Sequence, residues 1–178
     1  MSLQFNVSQF LKSDVGDTRS YDFEADEPID LDDASATEVT GHVKFTMTNF
    51  GVVAAARAHA ILHLTCARCL EPFETPVDIV FEEEYQPSID IASGLPVTAP
   101  RNEAAFEISA NHTIDLTEAL RQNLLLSIEL VPVCRADCAG LCPTCGVNRN
   151  MEQCACPPAE DSSPFAVLQG LLGASSQE

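Results

Sequence analysis

The sequence predicts an α+β protein with a mainly antiparallel β core, one long helix and a small C-terminal cysteine module. Apolar and polar residues alternate through much of the first half, which is typical of half-buried strands. A later stretch repeats its apolar residues with helical spacing. Six of the eight cysteines fall between Cys134 and Cys156. These features divide the chain into an acidic β-rich domain with a packed helix, residues 1–130, and a cysteine-rich module with a short C-terminal helix, residues 131–178.

Alternation of apolar and polar residues predicts four strands before residue 85. A short strand lies around Tyr21–Glu24, and the next begins at Ala36. A longer strand runs from Val52 to Cys66. Another begins at Phe73 and ends in three glutamates, residues 82–84. A short cysteine-bearing turn joins the last two strands, so they are expected to form an antiparallel hairpin.

Three shorter segments complete the reading of the β-rich part. Residues 8–11 predict a single helical turn. Residues 86–103 contain three prolines and a glycine without periodicity, which predicts a mobile loop. Residues 104–109 predict a short strand.

The long helix is predicted over residues 115–130. Asp115 is placed to cap it, and Glu118 completes a capping box. Val131 and Pro132 are expected to end it. A second, short helix is predicted to start with Ser163 as its cap. The apolar stripe of the long helix comprises Leu116, Ala119, Leu120, Leu124, Ser127 and Ile128.

The charge of the chain is strongly negative. It carries 27 acidic and 9 basic residues, for a formal net charge of -18. Residues 1–40 alone hold ten acids and two bases, a balance of 10 − 2, or -8. Affinity for nucleic acids comes mostly from lysine and arginine contacts to phosphate. We therefore expect weak or no binding to naked RNA, and attraction to a basic protein partner.

The sequence also bears on compartment and cysteine chemistry. It contains no run of about 18 apolar residues, so no membrane span is expected. The N-terminal segment lacks the basic and apolar regions of a secretory signal, which favours a cytoplasmic location. In that compartment, eight cysteines indicate metal ligation or redox chemistry rather than a disulfide framework.

The segment Cys142-Pro-Thr-Cys145-Gly predicts a tight turn whose two thiolates bind one metal. Tetrahedral zinc then needs two more ligands, and the spacing matches neither ferredoxin pattern, which favours zinc over an iron–sulfur cluster. Three pairings stay open. The favoured set is Cys134, Cys138, Cys142 and Cys145. The second set replaces the upstream pair with Cys154 and Cys156, and the third draws one ligand from each flank.

The pair Cys66 and Cys69 is harder to interpret. A single CxxC can be half of a metal site, a redox pair, or two small residues in a hairpin turn. Eight thiols would also suffice for two four-cysteine sites. A thioredoxin-like CxxC opens a helix, whereas this one lies between predicted strands, which disfavours an oxidoreductase. The chain shows no catalytic motif, and a zinc ion with four thiolates has no open position, so we expect no enzymatic activity.

Several motifs together resemble the YceD family, the large ribosomal RNA subunit accumulation proteins. They are CARCLEPF at 66–73, DLTEALRQNLLL at 115–126, CRADCAGLCPTCG at 134–146, CAC at 154–156 and SPFAVL at 163–168. The resemblance implies a non-enzymatic role in ribosome biogenesis, namely supporting the accumulation of large-subunit ribosomal RNA. Its partner would be a basic ribosomal protein or a pre-ribosomal large-subunit particle. The alternative is a thiol-dependent redox switch or oxidoreductase that uses Cys66 and Cys69.

Overall fold

The computed structural model describes residues 3–91, 93–97 and 104–156. Within these residues there is one α-helix, α1 (Thr117–Ser127), and one 3-10 turn (Phe10–Lys12). The strands are β1 (Gln4–Asn6), β2 (Thr18–Glu24), β3 (Ile29–Asp30), β4 (Ser35–Met47), β5 (Val52–Thr65), β6 (Pro72–Pro87), β7 (Phe106–Ile108) and β8 (Thr113–Asp115).

The main sheet has the order β2-β4-β5-β6-β7, with β3 paired to one end of β4. Its pairs are antiparallel except β6–β7, which is parallel. Strands β4, β5 and β6 are long, with 13, 14 and 16 residues, so the sheet is an extended platform. A separate two-stranded sheet joins β1 to β8.

The hydrophobic core lies against one face of the main sheet. Alternate residues of β5, from Ala54 to Leu64, are buried on that face. The helix α1 packs on the same face and buries Ala119, Leu120 and Leu124. The 3-10 turn adds the buried ring of Phe10 to this core. The alternating apolar side chains of β5 and the apolar side chains on one side of α1 are therefore buried in the same core.

The α+β class and the antiparallel β5–β6 hairpin are confirmed, but the helix differs from its prediction in both ends. It begins at Thr117 instead of 115, because Asp115 is the last residue of β8. The Asp115 carboxylate accepts the Thr117 backbone N–H at 2.9 Å, so it still supports the first turn from outside. The Glu118 carboxylate accepts a hydrogen bond from Gln122, and no capping box is formed with Asp115.

The helix also ends early, because Ile128 adopts an extended backbone. The chain thus leaves the helix before Pro132 and runs toward the cysteines. Likewise, residues 86 and 87 belong to β6 rather than to the predicted loop. The short helix predicted after Ser163 lies outside the described residues. No helix in the described ranges has the length and apolar character of a membrane span.

Candidate metal centre

The eight cysteines form two groups of four, which we call tetrad 1 and tetrad 2. Tetrad 1 comprises Cys66, Cys69, Cys134 and Cys138, whose sulfur atoms all lie within 4.8 Å of one another. The Sγ atoms of Cys66 and Cys138 are 3.9 Å apart, and those of Cys69 and Cys134 are 3.8 Å apart. Three of these residues are buried and Cys134 is half-buried. The four thiols are therefore close but not disulfide-bonded.

The turn between β5 and β6 places the first two sulfurs of tetrad 1. The Cys66 carbonyl accepts the Leu70 N–H at 2.9 Å, and the Cys66 N–H donates to the Glu71 carbonyl at 2.9 Å. Leu70 closes the turn with a φ of 60°, in the left-handed region that disfavours side chains with a Cβ. The long antiparallel pairing of β5 and β6 fixes the base of this turn.

The segment after α1 supplies the other two sulfurs of tetrad 1. The Ala67 N–H donates to the Pro132 carbonyl at 2.8 Å, which lays this segment along the hairpin turn. The Arg68 side chain donates to the Cys138 carbonyl at 3.2 Å. The Asn150 amide donates to the Cys138 sulfur at 3.3 Å. Tetrad 1 thus joins two parts of the chain that are far apart in sequence.

Tetrad 2 comprises Cys142, Cys145, Cys154 and Cys156, again with all sulfurs within 4.8 Å of one another. Cys142 is buried, Cys145 is exposed, and the other two are half-buried. Its CxxC turn repeats the hydrogen bonds of the first turn. The Gly146 N–H donates to the Cys142 carbonyl at 2.9 Å, and the Cys142 N–H donates to the Val147 carbonyl at 2.8 Å. Gly146 takes the left-handed position here, with a φ of 76°.

The residues between the tetrads are held against the hairpin turn. The Leu141 N–H donates to the Arg68 carbonyl at 3.0 Å, and the Arg149 N–H donates to the Gly140 carbonyl at 2.9 Å. Gly140 has a φ of 68°, and a Cβ at this position would lie 3.0 Å from the Arg68 carbonyl oxygen. Glycine is therefore favoured here for two reasons, the backbone conformation and the close approach of the Arg68 carbonyl.

Each tetrad contains at least one cysteine whose pKa lies below its ordinary value. The backbone N–H of Cys134, with those of Cys69 and Arg68, lowers the pKa of Cys66 to about 6 against the effect of burial. The N–H groups of Cys145 and Thr144 lower the pKa of Cys142 to about 5.

Other thiols in the same tetrads hold their protons. Burial and the hydrogen-bonded neighbouring sulfurs raise the pKa of Cys134 to about 12. The thiol of Cys145, followed by burial, raises the pKa of Cys156 to about 12. Four thiolates this close repel one another, and a bound cation removes that obstacle to deprotonation.

The sulfur spacing suits a tetrahedral metal ion. Ligands at about 2.3 Å from a tetrahedral centre lie about 3.8 Å apart, whereas a disulfide requires about 2.05 Å. The observed 3.8 and 3.9 Å in tetrad 1 agree with the first value. Each tetrad can therefore bind one metal ion through four sulfurs. Such a closed site stabilises a fold and offers no open position for a substrate.

The structure does not bring the favoured ligand set into one group. Cys134 and Cys138 lie with Cys66 and Cys69, and the CPTC pair lies with Cys154 and Cys156. The second pairing considered from sequence is thus the one that the structure assembles around Cys142. The partnership of Cys66 and Cys69 with Cys134 and Cys138 has no local sequence signal beyond the count of eight thiols, which suffices for two sites of four.

Comparisons with known proteins agree with these motifs. The family described as large ribosomal RNA subunit accumulation protein YceD matches residues 54–172, a span that contains both tetrads. Uncharacterized proteins of Mycobacterium tuberculosis and Mycobacterium bovis are 36% identical over 83 residues, which is 46% of this chain and 37% of each relative. The chain thus matches little more than a third of the length of these relatives. No solved structure was found to match.

A plant relative carries the family's description in its own name. The Zea mays protein called large ribosomal RNA subunit accumulation protein YCED homolog 1, chloroplastic, is 41% identical over 51 residues. That stretch is 28% of this chain and 17% of the maize protein. The family match, by contrast, covers well over half of the present chain. The chain belongs to the YceD family of large ribosomal RNA subunit accumulation proteins.

Proposed function

We propose that the chain is a non-enzymatic ribosome biogenesis factor that supports accumulation of the large-subunit ribosomal RNA. It does so by binding a basic ribosomal protein or a large-subunit assembly intermediate. The observation that carries the proposal is the family match, which covers the β5–β6 hairpin from residue 54 onward, α1 and both tetrads. The name of the maize relative supports the same role.

The charges near the tetrads favour a protein partner over naked RNA. The Arg68 guanidinium donates to the Cys138 carbonyl, and that of Arg135 donates to the Asn150 side chain at 2.7 Å. The Arg149 guanidinium approaches the Cys142 sulfur at 3.7 Å. These three cations are engaged in holding the cysteine segment together. The remaining surface has a large excess of acids, which repels phosphate and attracts a basic protein.

Zinc is the metal proposed for both tetrads. Four thiolates in tetrahedral arrangement form a typical structural zinc site. The cysteine segment, residues 134–156, is too short to build a hydrophobic core of its own, so bound metal would supply its stability. The ion in tetrad 1 would also tie this segment to the β5–β6 turn. The metal would thus shape the surface that the partner meets.

The redox alternative has less support. A reactive thiol pair needs solvent access as well as a low pKa. Cys66 and Cys69 are only 0% and 4% exposed. Their proximity to the other two sulfurs of tetrad 1 accounts for both cysteines without redox chemistry.

Deletion of the gene in its native host, followed by rescue, tests the proposed function. We expect deletion to lower the ratio of large-subunit to small-subunit ribosomal RNA, and the wild-type chain to restore it. The double substitution C66S/C69S should fail to restore the ratio, because it removes half of tetrad 1. The exposed control Ser93→Ala should restore it. An unchanged ratio after deletion would refute the proposed role.

A further inference from the structure

Among residues 3–91, 93–97 and 104–156, little covers the core face of the sheet near the cysteines. On β6, Ile79, Phe81 and Tyr85 are buried on this face, whereas Phe73 and Val77 are only half-buried. The difference follows from the length of α1, which ends at Ser127, so that no helix of the described residues lies above the turn end of the hairpin.

A cavity of about 200 Å³ occupies this uncovered end, and we call it the helix-end pocket. Its apolar lining comes from the hairpin and from the chain that leaves α1. This apolar lining includes Leu62, Leu64, Phe73, Val77, Ile128 and Val133, together with two prolines. Thr75 lies in the wall, and Glu129 is the charged residue of the lining.

The residues beside the helix-end pocket are unusually apolar for an exposed surface. Leu130 is 102% exposed and Val131 is 61% exposed, and both lie between lining residues of the pocket. Exposed apolar side chains beside a cavity that mixes apolar side chains with polar groups fit a protein interaction site. Interfaces of this kind are anchored by a few apolar side chains that enter pockets, surrounded by a polar rim.

We propose that the helix-end pocket binds an apolar side chain from a basic segment of the protein partner. The inference rests on the proposed function, in which that partner is basic, and it adds the place and manner of contact. The apolar side chain would cover Phe73 and Val77. Lysine or arginine residues that flank it would pair with Glu129 and with the acidic surface of the chain.

Charge decides among the possible occupants of the pocket. The chain's own residues 157–178 contain three acids and no lysine or arginine. A second copy of the chain would bring another net charge of -18. A second copy would be repelled by Glu129 and by the charge of the whole body, and the tail gains no attraction because residues 162–177 carry no charge, whereas a basic segment would be attracted.

Photo-crosslinking in the native host tests the proposal with the full chain. Leu130 is replaced by p-benzoylphenylalanine, and crosslinked products are identified by mass spectrometry. The control carries the same photoreactive residue in place of Phe50, which is 75% exposed in the β4–β5 turn, at the other end of β5. Thr75→Trp then fills the pocket. Val80→Trp adds the same bulk at an exposed position of the same strand.

We expect position 130 to crosslink to an identified basic protein of the large subunit, and position 50 not to do so. Thr75→Trp should reduce the crosslink by about tenfold, as expected for loss of an anchoring contact, while Val80→Trp leaves it unchanged. Crosslinks to residues 157–178, to a second copy or to RNA alone would overturn the proposal. So would equal yields from both tryptophan variants, or no crosslink at all.

Co-sedimentation with large-subunit particles separates this proposal from the proposed function. If the chain sediments with the particles but position 130 gives no such crosslink, the helix-end pocket is not the contact and the proposed function stands. If the chain neither sediments with the particles nor crosslinks, both fail.

Discussion

Leu70 and Gly146 occupy equivalent positions, each directly after a CxxC turn. Both have a positive φ, 60° for Leu70 and 76° for Gly146, and both donate a backbone N–H to the carbonyl of the first cysteine. Glycine adopts this conformation without steric cost, whereas a side chain with a Cβ costs about 1 kcal/mol or more. The leucine turn is therefore strained relative to its glycine counterpart.

Leu70→Gly should raise the free energy of unfolding of the metal-loaded protein by about 1 kcal/mol, because it removes this strain. The leucine side chain is 63% exposed, so little packing is lost. Chemical denaturation measures the change. Leu126→Gly is the matched control, since Leu126 is 83% exposed in α1 and glycine there should destabilise by about 1 kcal/mol. A lower free energy of unfolding in Leu70→Gly would contradict the claim that the Leu70 backbone is strained.

Gly140→Ala is expected to have the opposite effect. The new Cβ would crowd the Arg68 carbonyl oxygen, and the positive φ would be strained. We expect a loss of about 1–3 kcal/mol in unfolding free energy, in the range for a strained backbone position. Gly94→Ala is the comparison, because its φ is also positive but no atom lies within 4 Å of a Cβ there. Equal losses in the two variants would show that the contact with Arg68 has no effect.

At the scale of elements, the two tetrads differ in what they connect. Tetrad 1 joins the β5–β6 turn to the segment after α1, and its sulfur pairs at 3.8 and 3.9 Å are 65 and 72 residues apart in sequence. Tetrad 2 takes all its ligands from residues 142–156. A metal ion in tetrad 1 therefore closes a long loop and is coupled to folding of the sheet. A metal ion in tetrad 2 constrains only its own segment.

Metal removal should consequently occur in two steps. Tetrad 2 includes the exposed Cys145, so a chelator should remove its metal first, while the β-sheet signal in circular dichroism is unchanged. Removal from tetrad 1 should be slower and accompanied by loss of thermal stability. Measuring the metal content and melting temperature of the variants Cys145→Ser and Cys69→Ser shows which step belongs to which tetrad. Release of both ions in one step would contradict this order.

The sequence predicted these elements unequally, for physical reasons. The alternating residues of β4 and β5 show a period that only a half-buried strand explains, and the structure has both strands. The sequence predicts too early a start for α1, because the Asp115 carboxylate looks like a helix cap. It does accept a hydrogen bond from the first helical turn, but from the last residue of a strand. The composition of tetrad 1 depends on how the segment after α1 returns to the hairpin, which is a tertiary contact that local spacing does not encode.

At the scale of the whole molecule, charge governs the choice of partner. The acids are densest in the first 40 residues, which include β2, β3 and the turns that join them to β4. At physiological ionic strength the field of exposed charges extends about 8 Å. An interaction with a basic protein should therefore be sensitive to salt and to single charge changes near the contact.

Amide substitutions test this dependence. The combined variant E24Q/D26N/E27Q should weaken binding to large-subunit proteins by several-fold, and raised salt should weaken the wild type in the same direction. The comparison variant E152Q/E107Q changes acids outside the first 40 residues and should bind as the wild type does. Isolated large-subunit RNA should show no appreciable binding at physiological salt. Tight binding to protein-free RNA, with a steep salt dependence, would argue against a protein partner.

The metal content of the full chain, purified without added metal, tests the two-centre account most directly. Native mass spectrometry with elemental analysis should find two zinc ions per chain, because each tetrad supplies four sulfurs at suitable spacing. Cys69→Ser and Cys145→Ser should each reduce the content to one. A zinc content near zero in the wild type would contradict two independent tetrathiolate zinc sites. So would a wild-type content of one zinc ion that is absent from both variants.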